Sequence, residues 1–192
     1  DTFIWKTEYD LRIIIIQLIM KFWWEKESFS SIVAFSKNSS IPHHNTWNTK
    51  IWNWVLLIDM WAEYNWYLSD FTRTFWVWEK DKNYKEFYKV WEIVKKAHDL
   101  WIKFVKENMN NNREIYWKDV DRVVRNYIID KWYWEYFTHS TWHWVWLGIH
   151  EKPWISKTKW DTLIKKWMIF TIEPWIYLPN KFWFRWENII IT

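Results

Sequence analysis

Five side chains in this chain are of types that metal-assisted hydrolysis uses. Asp59 closes an apolar run, Val55 to Ile58, and Asp70 stands on the return limb of a hairpin expected through Asn65-Trp66. Carboxylates on paired strands can converge on one cation. His143 sits in a turn-like stretch, Glu173 ends the apolar run Met168 to Ile172, and Glu187 belongs to the final apolar segment. One imidazole and four carboxylates make a hard, oxygen-rich donor set, suited to Mn²⁺ and similar ions more than to thiolate-preferring metals. Four carboxylates in one buried place repel one another unless cations compensate. Taken singly, each has a plainer reading, since an acid at a strand end is usually solvated.

The elements that must carry these residues are visible in outline. Apolar Leu11, Ile14, Ile15, Leu18 and Ile19 recur at helical spacing and predict a helix from about Thr7 to Phe22. Further helices are expected over Asn83 to Asp99 and Lys118 to Lys131. The 192 residues fall within the range of one domain and suffice to bury a sizeable core. With Cys 0, disulfides and thiolate metal sites are excluded, which fits a reducing compartment. A net charge of +4 with no basic block argues against a nucleic-acid partner. The longest apolar run, Ile13 to Trp24, is broken by Gln17 and Lys21 and is too short to span a bilayer. The chain starts at Asp1 and its last residues read as an unfinished strand, so a fragment cut at both ends is expected.

Two counts are out of line with ordinary proteins: Trp 24 and Gly 1. At the usual share of about 7%, roughly 13 glycines would be expected, because some backbone positions need a positive φ or close approach. The tryptophans occupy such places. Trp23-Trp24, Trp101 and Trp132 follow the expected helices, where a left-handed glycine is preferred, and Trp54, Trp66, Trp167 and Trp175 follow Asn, Lys or Pro. A tryptophan-rich core would put indoles on the apolar faces, where few are seen. A base-stacking surface would interleave cations, and Trp142, Trp144 and Trp146 have none between them. The reading that accounts for the pattern is a decoding difference: UGA, glycine in some bacterial codes, rendered as tryptophan. Trp91, inside the second helix, is the position best explained as a true tryptophan.

With glycine written for tryptophan, the segments WVLLIDMWAEYNWYLSDFTRTF (54–75), FTHSTWHWVWLGIHEKP (137–153) and WMIFTIEPWIYLPNKFWFRWENIIIT (167–192) resemble the creatinase/aminopeptidase P/prolidase metallopeptidases. WKTEYDL at the start and KFWWEKESFSSIVAF after it extend the likeness over nearly the whole chain. The resemblance implies an α+β pita-bread fold, a curved, mostly antiparallel sheet with helices on its outer face. Residues 1–192 are then one catalytic domain, lacking the family's N-terminal domain.

The activity it implies is hydrolysis of the Xaa-Pro bond at peptide N-termini, by a hydroxide held between two divalent ions. Manganese is the expected metal, with cobalt or zinc as alternatives. Asp59 would bind one ion, Asp70 and Glu187 would bridge both, and His143 and Glu173 would complete the other, with Glu173 also the proton shuttle. His43 and His150 match histidines that meet substrate and stabilise the tetrahedral intermediate; His139 matches a further pocket histidine, and Arg185 an arginine beside the metals that orients ligands. His44 and His98 are expected at the surface. SDFTRTF, Pro42-His43 and Arg185-x-Glu187 favour the Xaa-Pro branch over methionine aminopeptidases. The complete ligand set counts against an amidinohydrolase and against a non-enzymatic binding module. A cytoplasmic, homo-oligomeric enzyme acting on peptides with proline in second place is the resulting expectation, with neither nucleic acid nor membrane as partner. Dipeptides and longer peptides both remain open as substrates.

Overall fold

The structure, a computed structural model, describes residues 3–22, 25–27, 30–41, 43–137, 143, 145 and 161–192. Helix α1 (Glu8–Lys21) is followed by β1 (Ile32–Phe35), β2 (Val55–Met60), the short β3 (Glu63–Tyr64) and β4 (Tyr67–Leu68), and β5 (Phe71–Trp76). Two helices come next, α2 (Tyr84–Asn110) and α3 (Trp117–Asp130), and then β6 (Ile169–Ile172), β7 (Trp175–Leu178), β8 (Phe182–Arg185) and β9 (Asn188–Ile191). Every strand pairing among the described residues is antiparallel, in the order β1-β2-β5 with separate pairs β3-β4, β6-β9 and β7-β8. This is an α+β architecture.

Alternation along the strands separates a helix-covered face from the face that carries the acids. Leu56, Ile58 and Met60 of β2, with Val33 and Phe35 of β1, pack against Leu11, Ile15 and Ile19 of α1. Leu57, on the other face, joins Ile32, Ala34 and Trp183, and Asp59 follows it by one period. On β8, Phe182 and Phe184 meet Phe87 of α2, which leaves Trp183 and Arg185 on the opposite side. Helix α1 is opened by a reciprocal cap, the Thr7 hydroxyl accepting from Asp10 N–H and Asp10 Oδ2 from Thr7 N–H.

Helix α2 runs on to Asn110, well past the expected stop at Asp99. Its apolar stripe, Val90, Val94, Ala97, Trp101 and Val105, simply continues, and Trp101 is fully buried against Phe170 and Trp117. The reading of Trp101 as a post-helix residue is therefore corrected: an indole at helical spacing on the buried face extends the helix. Trp117, Trp175 and Trp183 are also core residues, so indoles do occupy apolar faces, contrary to expectation.

Other tryptophans behave as glycines would. Trp5, Trp66, Trp78, Trp132 and Trp167 have φ between 66 and 73°, a region penalised for any side chain with a Cβ. Asn65 (φ 49°) and Trp66 (φ 72°) make the two-residue link between β3 and β4 with both residues left-handed, a conformation that Asn-Gly suits best. Trp132 ends α3 in a Schellman arrangement: its N–H donates to Ile129 O at 2.8 Å and that of Tyr133 to Ile128 O at 3.2 Å. Trp54, Trp101 and Trp175 are not among the left-handed residues. Trp91 is half-buried in α2 and stacks on Tyr88.

Candidate metal centre

The strand register brings the two aspartates together. Asp59 of β2 pairs with Thr72 of β5, and Asp70, two residues before Thr72, lies on the same face by the alternation of the strand. Glu187, between β8 and β9, is held there by its N–H donating to Thr72 O at 3.2 Å and by the Thr72 hydroxyl donating to its Oε2 at 2.6 Å. His143 is positioned by main-chain bonds to β6: its N–H donates to Thr171 Oγ1 at 3.1 Å, and Thr171 N–H donates to its carbonyl at 2.9 Å. Glu173 follows β6 directly.

Around His143 Nε2 these elements set Asp70 Oδ2 at 3.1 Å, Glu187 Oε1 at 3.6 Å and Glu173 Oε1 at 3.8 Å. Asp70, His143 and Glu187 each offer a ligand atom, and these atoms lie within 4.8 Å of one another. Asp59 stands slightly apart: it accepts from Arg185 Nη2, whose Nε donates to Thr72 Oγ1 at 2.9 Å and lies 3.9 Å from Glu187 Oε2. Arg185 is itself fixed by Thr74, whose hydroxyl exchanges bonds with the Arg185 main chain at 3.1 and 3.2 Å.

The electrostatics are those of acids crowded out of water. Burial, reinforced by the charge of Glu187, pushes the Asp70 carboxyl well above the usual carboxylate range. Burial also raises Asp59, against the opposing pull of Arg185, and lifts Glu173 to about 8 with the help of Glu187. Glu187 is held low: burial would raise it, but His143 and Arg185 outweigh that. Burial alone would lower the His143 imidazole, yet its bonds to Asp70 and Glu187 bring it up to about 11.

The donor set fits divalent cations. Among the described residues, Asp59 Oδ1 and Asp70 Oδ1 are buried oxygens without a hydrogen-bond partner, an arrangement that is costly unless something polar or cationic meets them. A carboxylate-rich cluster with one imidazole is the chemistry of a hard or borderline metal.

Of the remaining expected site residues, His139 and His150 lie outside the described residues. His43 is exposed in the turn after the 3₁₀ segment Ser36–Ser40. Among the described residues no hydrogen bond or ion pair joins it to the cluster. The surface expectation fails for its neighbour His44, whose Nε2 is 2.9 Å from the buried Glu8 carboxylate. It fails for His98 too, which is buried with Nε2 2.9 Å from Asn188 Nδ2. Thr72, Thr171 and Arg73 carry no metal-binding or acid–base signal of their own in the sequence. The first and last sit inside SDFTRTF, and the likeness of that segment to the family is the one signal that points to them.

Residues 5–192 match metallopeptidase family M24, and the chain belongs to that family. It is 35% identical over 168 residues to an Xaa-Pro dipeptidase of Pyrococcus furiosus, covering 87% of this chain and 45% of that protein. Among solved structures, a dipeptidase from Pyrococcus horikoshii superposes with a TM-score of 0.86 at 34% identity, over 98% of this chain and 50% of that one. An X-Pro aminopeptidase from Thermotoga maritima gives 0.84 at 30% identity, over 97% and 51%. The fold is therefore the pita-bread fold of these peptidases, and the chain spans about half the length of the relatives it matches. Among the described residues no helix is long and apolar enough to cross a membrane.

Proposed function

We propose that residues 1–192 form the catalytic domain of a metal-dependent peptidase that releases the N-terminal residue from Xaa-Pro peptides or dipeptides. The observation that carries this reading is the convergence of Asp70, His143 and Glu187 beside the buried Asp59 and Asp70 oxygens that lack hydrogen-bond partners among the described residues. Two divalent cations, manganese first and cobalt or zinc as alternatives, would be held by Asp59, Asp70, His143, Glu173 and Glu187. Bound there, they would supply Lewis acidity toward the scissile carbonyl and lower the pKa of a water.

The chain's own residues do the rest. Asp70 and Glu187 lie deepest, their side chains 0% and 2% exposed, and fix the centre. Glu173, 15% exposed, is the carboxylate best placed to meet solvent and substrate and to pass a proton to the departing amine. Thr171 orients His143 through its main chain, and Arg185 spans Asp59 and Thr72, keeping the acid-bearing strands in register. His43, His139 and His150 are assigned to substrate contact. The Pyrococcus furiosus and Thermotoga maritima enzymes similar to this chain are named for Xaa-Pro substrates, which supports the substrate class.

A peptide panel tests the reading. Ala-Pro, Ala-Pro-Ala and Met-Ala-Ser are incubated with the protein and Mn²⁺, and amino-acid release is followed by chromatography. Cleavage of one or both proline peptides, with Met-Ala-Ser spared, is expected. Cleavage of Met-Ala-Ser alone would transfer the protein to the methionine aminopeptidases.

A further inference from the structure

Arg73 lies on β5 on the face opposite Thr72 and Asp59, and so outside the carboxylate cluster. Its guanidinium nevertheless reaches the main chain that carries Glu187. Nη1 donates to Glu187 O at 2.6 Å and to Thr72 O at 2.8 Å, while Nη2 donates to Asn188 Oδ1 at 2.6 Å. The guanidinium plane is sandwiched between the rings of Phe71 and Trp186, its carbon 3.7 and 3.9 Å from their centroids. Asn188 continues the chain outward: its Nδ2 meets His98 Nε2 at 2.9 Å, anchoring the assembly to α2.

We infer that Arg73 is a positioning residue for the metal centre, acting through Glu187. The inference rests on the function proposed above. Thr72 and Glu187 are linked on the inner side by hydroxyl to carboxylate, at 2.6 Å. On the outer side Arg73 ties the carbonyls of the same two residues together. Glu187 stands in the gap between β8 and β9, outside the paired residues of both strands. A planar, rigid guanidinium presents its donors to two carbonyls and an amide oxygen in a fixed arrangement, for which a flexible ammonium on a shorter reach is a poorer match. Partners of this kind, one bond removed from a metal ligand, typically alter cation affinity about 10- to 100-fold when lost.

The test is a titration of the chelator-treated protein with MnCl₂ by calorimetry, for wild type, Arg73→Gln, Arg73→Lys and Asn188→Ala. It is run at a temperature where near-ultraviolet circular dichroism shows each variant folded. Arg73→Gln should bind Mn²⁺ about 10- to 100-fold more weakly, and Arg73→Lys should stay weakened although it keeps the charge. Asn188→Ala, which removes one of three acceptors, should show a smaller loss. Should Arg73→Gln fail to fold, Arg73→Lys and Asn188→Ala decide the matter. A lower melting temperature with unchanged Mn²⁺ affinity would make Arg73 merely structural, and full affinity in Arg73→Lys would overturn the fork argument. Absence of Mn²⁺ binding by the wild type is a separate result that refutes the proposed metallopeptidase.

Discussion

The end of α3 offers a stability prediction with its own internal control. Trp132 occupies the left-handed position after the helix at φ 66°, and it is 87% exposed. A side chain there is penalised by about 1–2 kcal/mol through its Cβ, whereas its indole loses almost nothing on removal because it buries so little. Glycine takes back about 0.5–1 kcal/mol through its greater freedom in the unfolded chain. The balance for Trp132→Gly is a stabilisation of about 0.5–1 kcal/mol, or roughly 2 °C in melting temperature for a domain of this size. Helix α2 ends in the same hydrogen-bond pattern, Asn112 N–H to Met109 O and Arg113 N–H to Asn108 O, with Asn112 at φ 53°. Asparagine tolerates this conformation, so Asn112→Gly should yield a smaller gain. Trp101→Gly should go the other way by about 4–6 kcal/mol, since it empties a core position and puts glycine inside a helix. Urea unfolding of the three variants measures all of these. A loss of stability in Trp132→Gly, or a gain in Trp101→Gly, would refute the argument.

Further expectations concern pH, decoding and the metal ligands. Burial lowers His98 to about 4 from 6.5, so the folded state keeps it neutral; stability is complete above the unfolded value and declines as pH falls from 6.5 toward 4, by roughly 3 kcal/mol in total. The pH dependence of urea midpoints, wild type minus His98→Gln, should show that decline, and a flat difference would contradict it. Peptide masses from the source organism should show glycine at 66, 132 and 167, with UGA codons there; tryptophan masses at these positions would end the decoding hypothesis. Asp70→Asn should lose nearly all Mn²⁺-dependent peptidase activity while its circular dichroism is retained, and undiminished turnover would remove Asp70 from the centre.

Local rules made much of this architecture legible. The start of α1 near Thr7, the Asn65-Trp66 turn and the post-helix slot at Trp132 are short-range features, and they lie where the pattern puts them. Trp101 shows where such a rule misleads: the local signal for an ending after Asp99 is overridden by an apolar stripe that runs on through Trp101 to Val105. The two aspartates posed a different difficulty. Whether Asp59 and Asp70 share a face depends on the register Asp59–Thr72, which simple alternation across a turn leaves undetermined. His98 could not be read as buried, because its partner Asn188 lies in a strand 90 residues away. The same holds for Glu8, whose carboxylate accepts from Phe35 N–H, Asn38 and His44 and reads in sequence as an ordinary first-turn acid.

The central proposal is that this protein uses cations held by the Asp70–His143–Glu187 cluster to cut after the first residue of proline peptides. The direct measurement is the initial rate of alanine release from Ala-Pro and Ala-Pro-Ala by chelator-treated protein, before and after addition of MnCl₂. Release that is absent with chelator and restored by Mn²⁺ is the predicted result. Equal rates in both conditions, or no release at any Mn²⁺ concentration from protein shown to be folded, would contradict it.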